Sequence, residues 1–127
     1  MDNLSILLAE DNAVNQKVAL LMLKKLGYQA DVVSNGLEVL DALHQQSYQI
    51  VFMDVQMPDM DGLTATKKIV EEWPEQERPW IIAMTANAMD GDREACLDAG
   101  MNDYVTKPIK ADQLKEAFSR YEQRQSA

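Results

Sequence analysis

Cysteine is almost missing: Cys96 stands alone among 127 residues, so no disulfide can close within the chain, and a reducing, cytoplasmic setting is expected. Histidine is as scarce. His44, the sole one, precedes Gln45-Gln46 in a segment of helical period, where a surface position is expected and not catalysis. No apolar run approaches the roughly 20 residues that span a bilayer, and Met1-Asp2-Asn3 is not a charged-then-apolar export signal. Positive charge is also short. With 12 basic against 21 acidic residues the net charge is -9, a field that repels nucleic acid and anionic membrane and favours a cation or a basic partner face. What is present is ordinary: 46% hydrophobic and 26% charged residues, with no internal repeat or linker. The length suits one sizeable core and not two. A single domain over 1–127 is expected, with its core at about 4–121 and a polar tail, 122–127, that frays.

Short apolar runs alternate with longer segments of helical period, which predicts βα units and a parallel α/β sheet covered on both faces. Strands are expected over Ser5 to Ala9, Ala30 to Val33, Ile50 to Met53, Trp80 to Met84 and Asp103 to Val105. The first helix is read from Val14, Val18, Leu21, Met22 and Leu26 as its apolar stripe, with Lys24-Lys25 and Gly27 at its C-terminus. Asn35 and Asp61 are the expected N-caps of the second and third helices, the latter stopped by Trp73-Pro74. Glu75 to Arg78 reads as a loop, Asp90 to Ala99 with Gly100 as the fourth helix, and Leu114, Ala117, Phe118 and Tyr121 as the stripe of a fifth.

In such a sheet, ligands bind outside the carboxyl ends of the strands. The chemically expressive residues collect there: Glu10-Asp11 after strand one, Asp54 at the end of strand three, Thr85 after strand four and Lys107 after strand five. Carboxylates brought together repel unless a cation neutralises them, and oxygen ligands without His or Cys favour magnesium, with manganese as the alternative. A lysine and a hydroxyl beside them suit phosphate oxygens, and a carboxylate attacking phosphorus gives an acyl phosphate. Taken singly, Glu10 and Asp11 could be helix N-terminal acids, Asp54 a turn acid, Lys107 a solvated lysine and Thr85 a strand-end residue. The joint pattern is what carries specificity.

Glu10-Asp11, Met53-Asp54 with Met57-Pro58 and Asp61-Gly62, Thr85-Ala86, and Tyr104 with Lys107-Pro108 together resemble the receiver domain of two-component response regulators, from about Leu4 to Tyr121. The resemblance implies a flavodoxin-like (βα)5 three-layer sandwich with sheet order 2-1-3-4-5. It implies Asp54 as phosphoacceptor, Glu10, Asp11, Asp54 and the Gln56 carbonyl as magnesium ligands, and Lys107 and Thr85 as contacts of the phosphoryl group. Thr85 and Tyr104 would be the switch pair, and Gln56 and Asn87 would govern phosphate lifetime. Wording such as Gly100-Met101-Asn102-Asp103-Tyr104 is similar to receivers of hybrid sensor histidine kinases. The implied partners are a histidine kinase or a histidine phosphotransfer protein, in a switch that modifies only itself. Oligomeric state is left open.

Two other classes share parts of this chemistry. A magnesium phosphohydrolase of the haloacid dehalogenase type also forms an aspartyl phosphate, but carries a second acid two residues after the nucleophile, where this chain has Gln56. A flavin-binding flavodoxin would need a phosphate-cradling loop after strand one, where Glu10-Asp11 would repel the phosphate.

Overall fold

Every expected strand forms: β1 (Ile6–Ala9), β2 (Ala30–Val33), β3 (Ile50–Asp54), β4 (Trp80–Thr85) and β5 (Asp103–Thr106), of which β1, β3 and β4 are buried, largely apolar runs while the edge strands β2 and β5 carry Asp31 and Asp103. The computed structural model describes residues 4–86, 90–107 and 109–124, so Asn87 and Pro108 lie outside the described residues. All four pairings are parallel, in the order β2-β1-β3-β4-β5. The helices are α1 (Ala13–Lys25), α2 (Gly36–Gln45), α3 (Gly62–Glu72), α4 (Asp90–Ala99) and α5 (Ala111–Gln123). The polar stretch read as a loop contains a 3-10 turn, Glu75–Glu77. Helix α5 reaches two residues into the segment expected to fray, and Arg124 beyond it lies 4.0 Å from the Tyr121 ring centroid.

The alternation of side chains along each strand sorts the core into two layers. Ile6, Leu8, Ile50, Phe52, Ile82 and Met84 face Ala19 and Leu23 of α1 and Leu114, Ala117 and Phe118 of α5. Leu7, Ala9, Val51, Met53, Ile81 and Ala83 face Val39 and Leu43 of α2, Ala65 and Ile69 of α3 and Cys96 of α4. The sheet is thus the middle of three layers. Phe52 is fully buried and meets Phe118 edge-on at 5.9 Å, a burial that stabilises by roughly 1.5–3 kcal/mol.

The expected stripe of α1 is corrected in part, since Met22 and Leu26 pack against the core and its other three members do not. Val14, Val18 and Leu21 are exposed at 68%, 40% and 60%, while Ala19 and Leu23 are the buried positions, flanked by Leu20, Met22 and Leu26. Between Val18 and Leu23 every residue is apolar, so the 3.6-residue period has no polar phase to mark the outer face. The caps follow expectation: Asn35 accepts from the Glu38 amide at 2.9 Å, Asp61 from the Thr64 amide at 2.7 Å, and Gly27 takes φ +94° after α1. No helix among the described residues is long and apolar enough to cross a membrane.

Candidate functional site

Because all five strands run the same way, their carboxyl ends open on one side, and a cavity of about 850 Å³ lies there. Glu10, Asp11, Asp54, Gln56, Thr85 and Lys107 all line it, together with Asn12, Asn15 and Met57. Residues nearly a hundred positions apart therefore share one pocket. Tyr104 does not line it; this half-buried side chain packs among the α2 to α4 side of the core. Asn87 is outside the described residues. A second cavity of about 840 Å³ sits at the other end of the sheet, near Trp73, Trp80 and Arg78. Arg78 is spent there in closing α3, donating to the Trp73 and Val70 carbonyls.

Glu10 and Asp54 are buried and Asp11 is exposed, and each offers a carboxylate oxygen within 4.8 Å of the others. The helix does not need these acids as caps, since Asn12 accepts from the Asn15 amide at 3.0 Å and α1 begins at Ala13. Their grouping is instead charge-compensated by Lys107, whose Nζ stands 2.8 Å from Asp54 Oδ2 and 3.0 Å from Glu10 Oε1. Backbone amides add to this: Gln56 donates to Asp54 Oδ1 at 3.2 Å and Asn12 to Glu10 Oε2 at 3.1 Å. Lys107 is itself placed by its amide, which donates to the Thr85 carbonyl at 2.7 Å and so carries the β4 to β5 pairing past the strand end.

The three charges are not equivalent. Burial raises the Asp54 pKa, and Glu10 raises it further, by more than the Lys107 hydrogen bond and the Gln56 amide offset. Burial also opposes ionisation of Glu10, but the Lys107 hydrogen bond and the Asn12 amide outweigh it and hold its carboxyl below the ordinary value. Burial disfavours the Lys107 ammonium, yet Asp54 and Glu10 together keep its pKa above the usual lysine value. Three carboxylate oxygens at this spacing, with no imidazole or thiolate among them, fit a hard divalent cation.

Asn12, Asn15 and Gln16 escaped the sequence reading. The Asn12 signal was a cap residue directly before a helical segment, hidden by the acids beside it. Gln16 reaches back to the Glu10 carbonyl, a tertiary bond with no sequence signature.

The family model described as the response regulator receiver domain matches residues 6–119. Among curated proteins, the hybrid signal transduction histidine kinase K of Dictyostelium discoideum is 44% identical over 125 residues, which is 92% of this chain and 10% of that protein. The chain thus spans a small part of the kinases it resembles. The receiver domain of the sensor histidine kinase PA1611 of Pseudomonas aeruginosa superposes with a TM-score of 0.84 at 43% identity, covering 94% of this chain and 98% of that one. That structure has a magnesium ion coordinated in its active-site cleft. The receiver of Saccharomyces cerevisiae Ssk1, crystallised with the histidine phosphotransfer protein Ypd1, gives a TM-score of 0.87 at 27% identity over 98% of this chain and 92% of that one. With its parallel sheet in the order β2-β1-β3-β4-β5 and its acids at the carboxyl ends of β1 and β3, this chain belongs to the response regulator receiver family.

Proposed function

We propose that this domain accepts a phosphoryl group on Asp54 from a phosphohistidine, carried by a histidine kinase or a histidine phosphotransfer protein, and works as a phosphorylation switch in a phosphorelay. The observation that carries this reading is the Asp54 carboxylate flanked at once by two further acids within 4.8 Å and by the Lys107 ammonium at 2.8 Å. An Asp54 oxygen attacks phosphorus as the P–N bond of the donor breaks, and the electron pair leaves with the imidazole nitrogen, which takes up a proton. Glu10, Asp11, Asp54 and the Gln56 carbonyl would hold magnesium, which when bound neutralises charge on the carboxylates and the phosphoryl oxygens. Lys107 then exchanges one carboxylate partner for a phosphoryl oxygen, and Thr85, buried at the end of β4, donates its hydroxyl to another. Tyr104, half-buried on the neighbouring strand, is the group that follows Thr85 and alters the outer surface. Gln56 lies on the exposed rim and would set access of water to the acyl phosphate; Asn87 is assigned the same role from the family pattern.

A protein donor needs a docking face, and α1 offers one. Val14, Val18 and Leu21 follow at helical spacing on its outer side, and the neighbouring Asn15 lines the acid pocket. A histidine phosphotransfer partner with an apolar surface would bring its phosphohistidine over Asp54 from there. The phosphohydrolase alternative lacks support, because Gln56 stands where its general acid and base is needed and cannot titrate.

Labelling with phosphoramidate tests the assignment. Magnesium-dependent uptake of one phosphoryl group that hydroxylamine removes is the expected result, since hydroxylamine cleaves acyl phosphates. A hydroxylamine-stable label, or uptake undiminished by chelation, would sink the reading.

A further inference from the structure

Strand β1 ends at Ala9, yet the backbone of the next residue is still paired on both sides. The Glu10 amide donates to the Val33 carbonyl at 3.0 Å, and the Glu10 carbonyl accepts the side-chain amide of Gln16 at 2.5 Å. Glu10 is only 2% exposed, so water does not readily replace that side-chain partner. Gln16 is anchored in turn: it lies in the first turn of α1, and its own backbone amide donates to the Asn12 carbonyl at 2.9 Å.

The Glu10 carbonyl and the Asp11 amide belong to one rigid planar unit. That unit joins the two residues whose carboxylates, with Asp54, form the acidic cluster. Tilting the plane moves Asp11 relative to Glu10, so whatever holds the plane sets the spacing of two oxygen donors. We infer that Gln16 is a positioning residue for the divalent cation: its side-chain amide fixes the peptide between Glu10 and Asp11 and so presets the geometry of the metal site. This rests on the metal reading above. Outer partners of metal ligands commonly control affinity in this way, because a ligand free to rotate must be ordered when the ion binds.

Gln16→Met keeps the length and removes the donor. Mg2+ binding to the whole chain is measured by titration calorimetry beside the thermal midpoint of the metal-free protein. The expected result is about tenfold weaker Mg2+ binding, at the low end of what such outer partners contribute. Gln113→Met is the control, since it removes a half-buried amide that donates to Thr106 Oγ1 at 2.9 Å on the other flank of the site. It should leave Mg2+ affinity unchanged. A Gln16→Met protein that binds Mg2+ as tightly as wild type, with only its midpoint lowered, would overturn the inference alone. A wild type that binds no Mg2+ would overturn the metal reading and this inference with it. Wild type supplies a second test that does not depend on the variant folding: the Gln16 side-chain amide protons must stay hydrogen-bonded through a Mg2+ titration followed by NMR, and their release on metal binding would overturn the proposal.

Discussion

Lys107 Nζ lies 2.8 Å from Asp54 Oδ2, and the same nitrogen is 3.0 Å from Glu10 Oε1. One ammonium thus bridges the carboxylates at the ends of β1 and β3, standing in for charge that a divalent cation would otherwise supply. The bridge explains how two buried acids tolerate each other, and under the proposed function Lys107 is the group that would change partners when a phosphoryl group is added to Asp54.

Lys107→Ala should therefore destabilise the metal-free protein by roughly 1–3 kcal/mol, a partly exposed version of breaking a buried pair. Mg2+ affinity should be retained, because the acids lose a competing cation. Amide spectra of the phosphorylated and free variant should differ far less than those of wild type. Differences as large as wild type's would mean that Lys107 does not couple phosphorylation to the rest of the domain.

The pKa directions give a pH dependence. Asp54, raised by burial and by Glu10, takes up protons more readily in the folded chain than in the unfolded one, so protonation at falling pH favours the metal-free fold. Magnesium needs the same carboxylate ionised. The rise in Tm produced by Mg2+ should shrink as pH is lowered from about 7 to about 4, beginning above the ordinary Asp range. Glu10, held low, contributes stability that is fully present above the ordinary Glu pKa and is lost as pH falls from there through its depressed value, and Lys107, held high, contributes stability that is fully present below the ordinary Lys pKa and is lost as pH rises from there through its elevated one. A Mg2+ increment in Tm that stays constant across that interval would contradict the assignment of Asp54 as a ligand.

Two glycines should respond differently to the same substitution. A Cβ at Gly62 would collide with the Asp54 carbonyl and come 2.9 Å from Met53 Cγ, so Gly62→Ala should cost about 1–3 kcal/mol and weaken Mg2+ binding as well. Gly27 has nothing within 4 Å of such a Cβ but sits at φ +94°, so Gly27→Ala should cost about 1–2 kcal/mol of backbone strain and leave Mg2+ binding alone. Chemical denaturation paired with calorimetric titration separates the two.

Charging the outer face of α1 should cost little stability. Val18→Asp with Leu21→Asp is expected to change folding free energy by less than about 0.5 kcal/mol per site, because both side chains are exposed. Labelling by phosphoramidate should survive, while transfer from a phosphorylated histidine phosphotransfer protein should slow at least tenfold. Transfer at the wild-type rate would remove α1 from the docking surface.

The central strands were legible because a buried parallel strand must be apolar on both faces, and each of the five runs, the half-buried edge strands included, differs from its observed strand by at most one residue at either end. Gly27, Asn35 and Asp61 marked helix ends because each has a local reason to stand there, a left-handed φ at the first and a side-chain cap at the other two. The inner face of α1 was not legible. With Val18 to Leu23 wholly apolar, the choice of Ala19 and Leu23 was made by the space beneath the helix, against Phe118 and the strands. The same limit hid Gln16, whose bond to Glu10 depends on how α1 returns over the end of β1. Glu10, Asp11, Asp54, Thr85 and Lys107 could be read as one pocket because parallel topology brings strand ends together whatever their separation in sequence. Lys107 bridging both buried acids is a distance, and only the structure supplies it.

Intact-mass measurement of wild type and Asp54→Asn after incubation with phosphoramidate and Mg2+ tests the central claim most directly. The account predicts one added phosphoryl group on wild type and none on the variant. Equal labelling of both would contradict it.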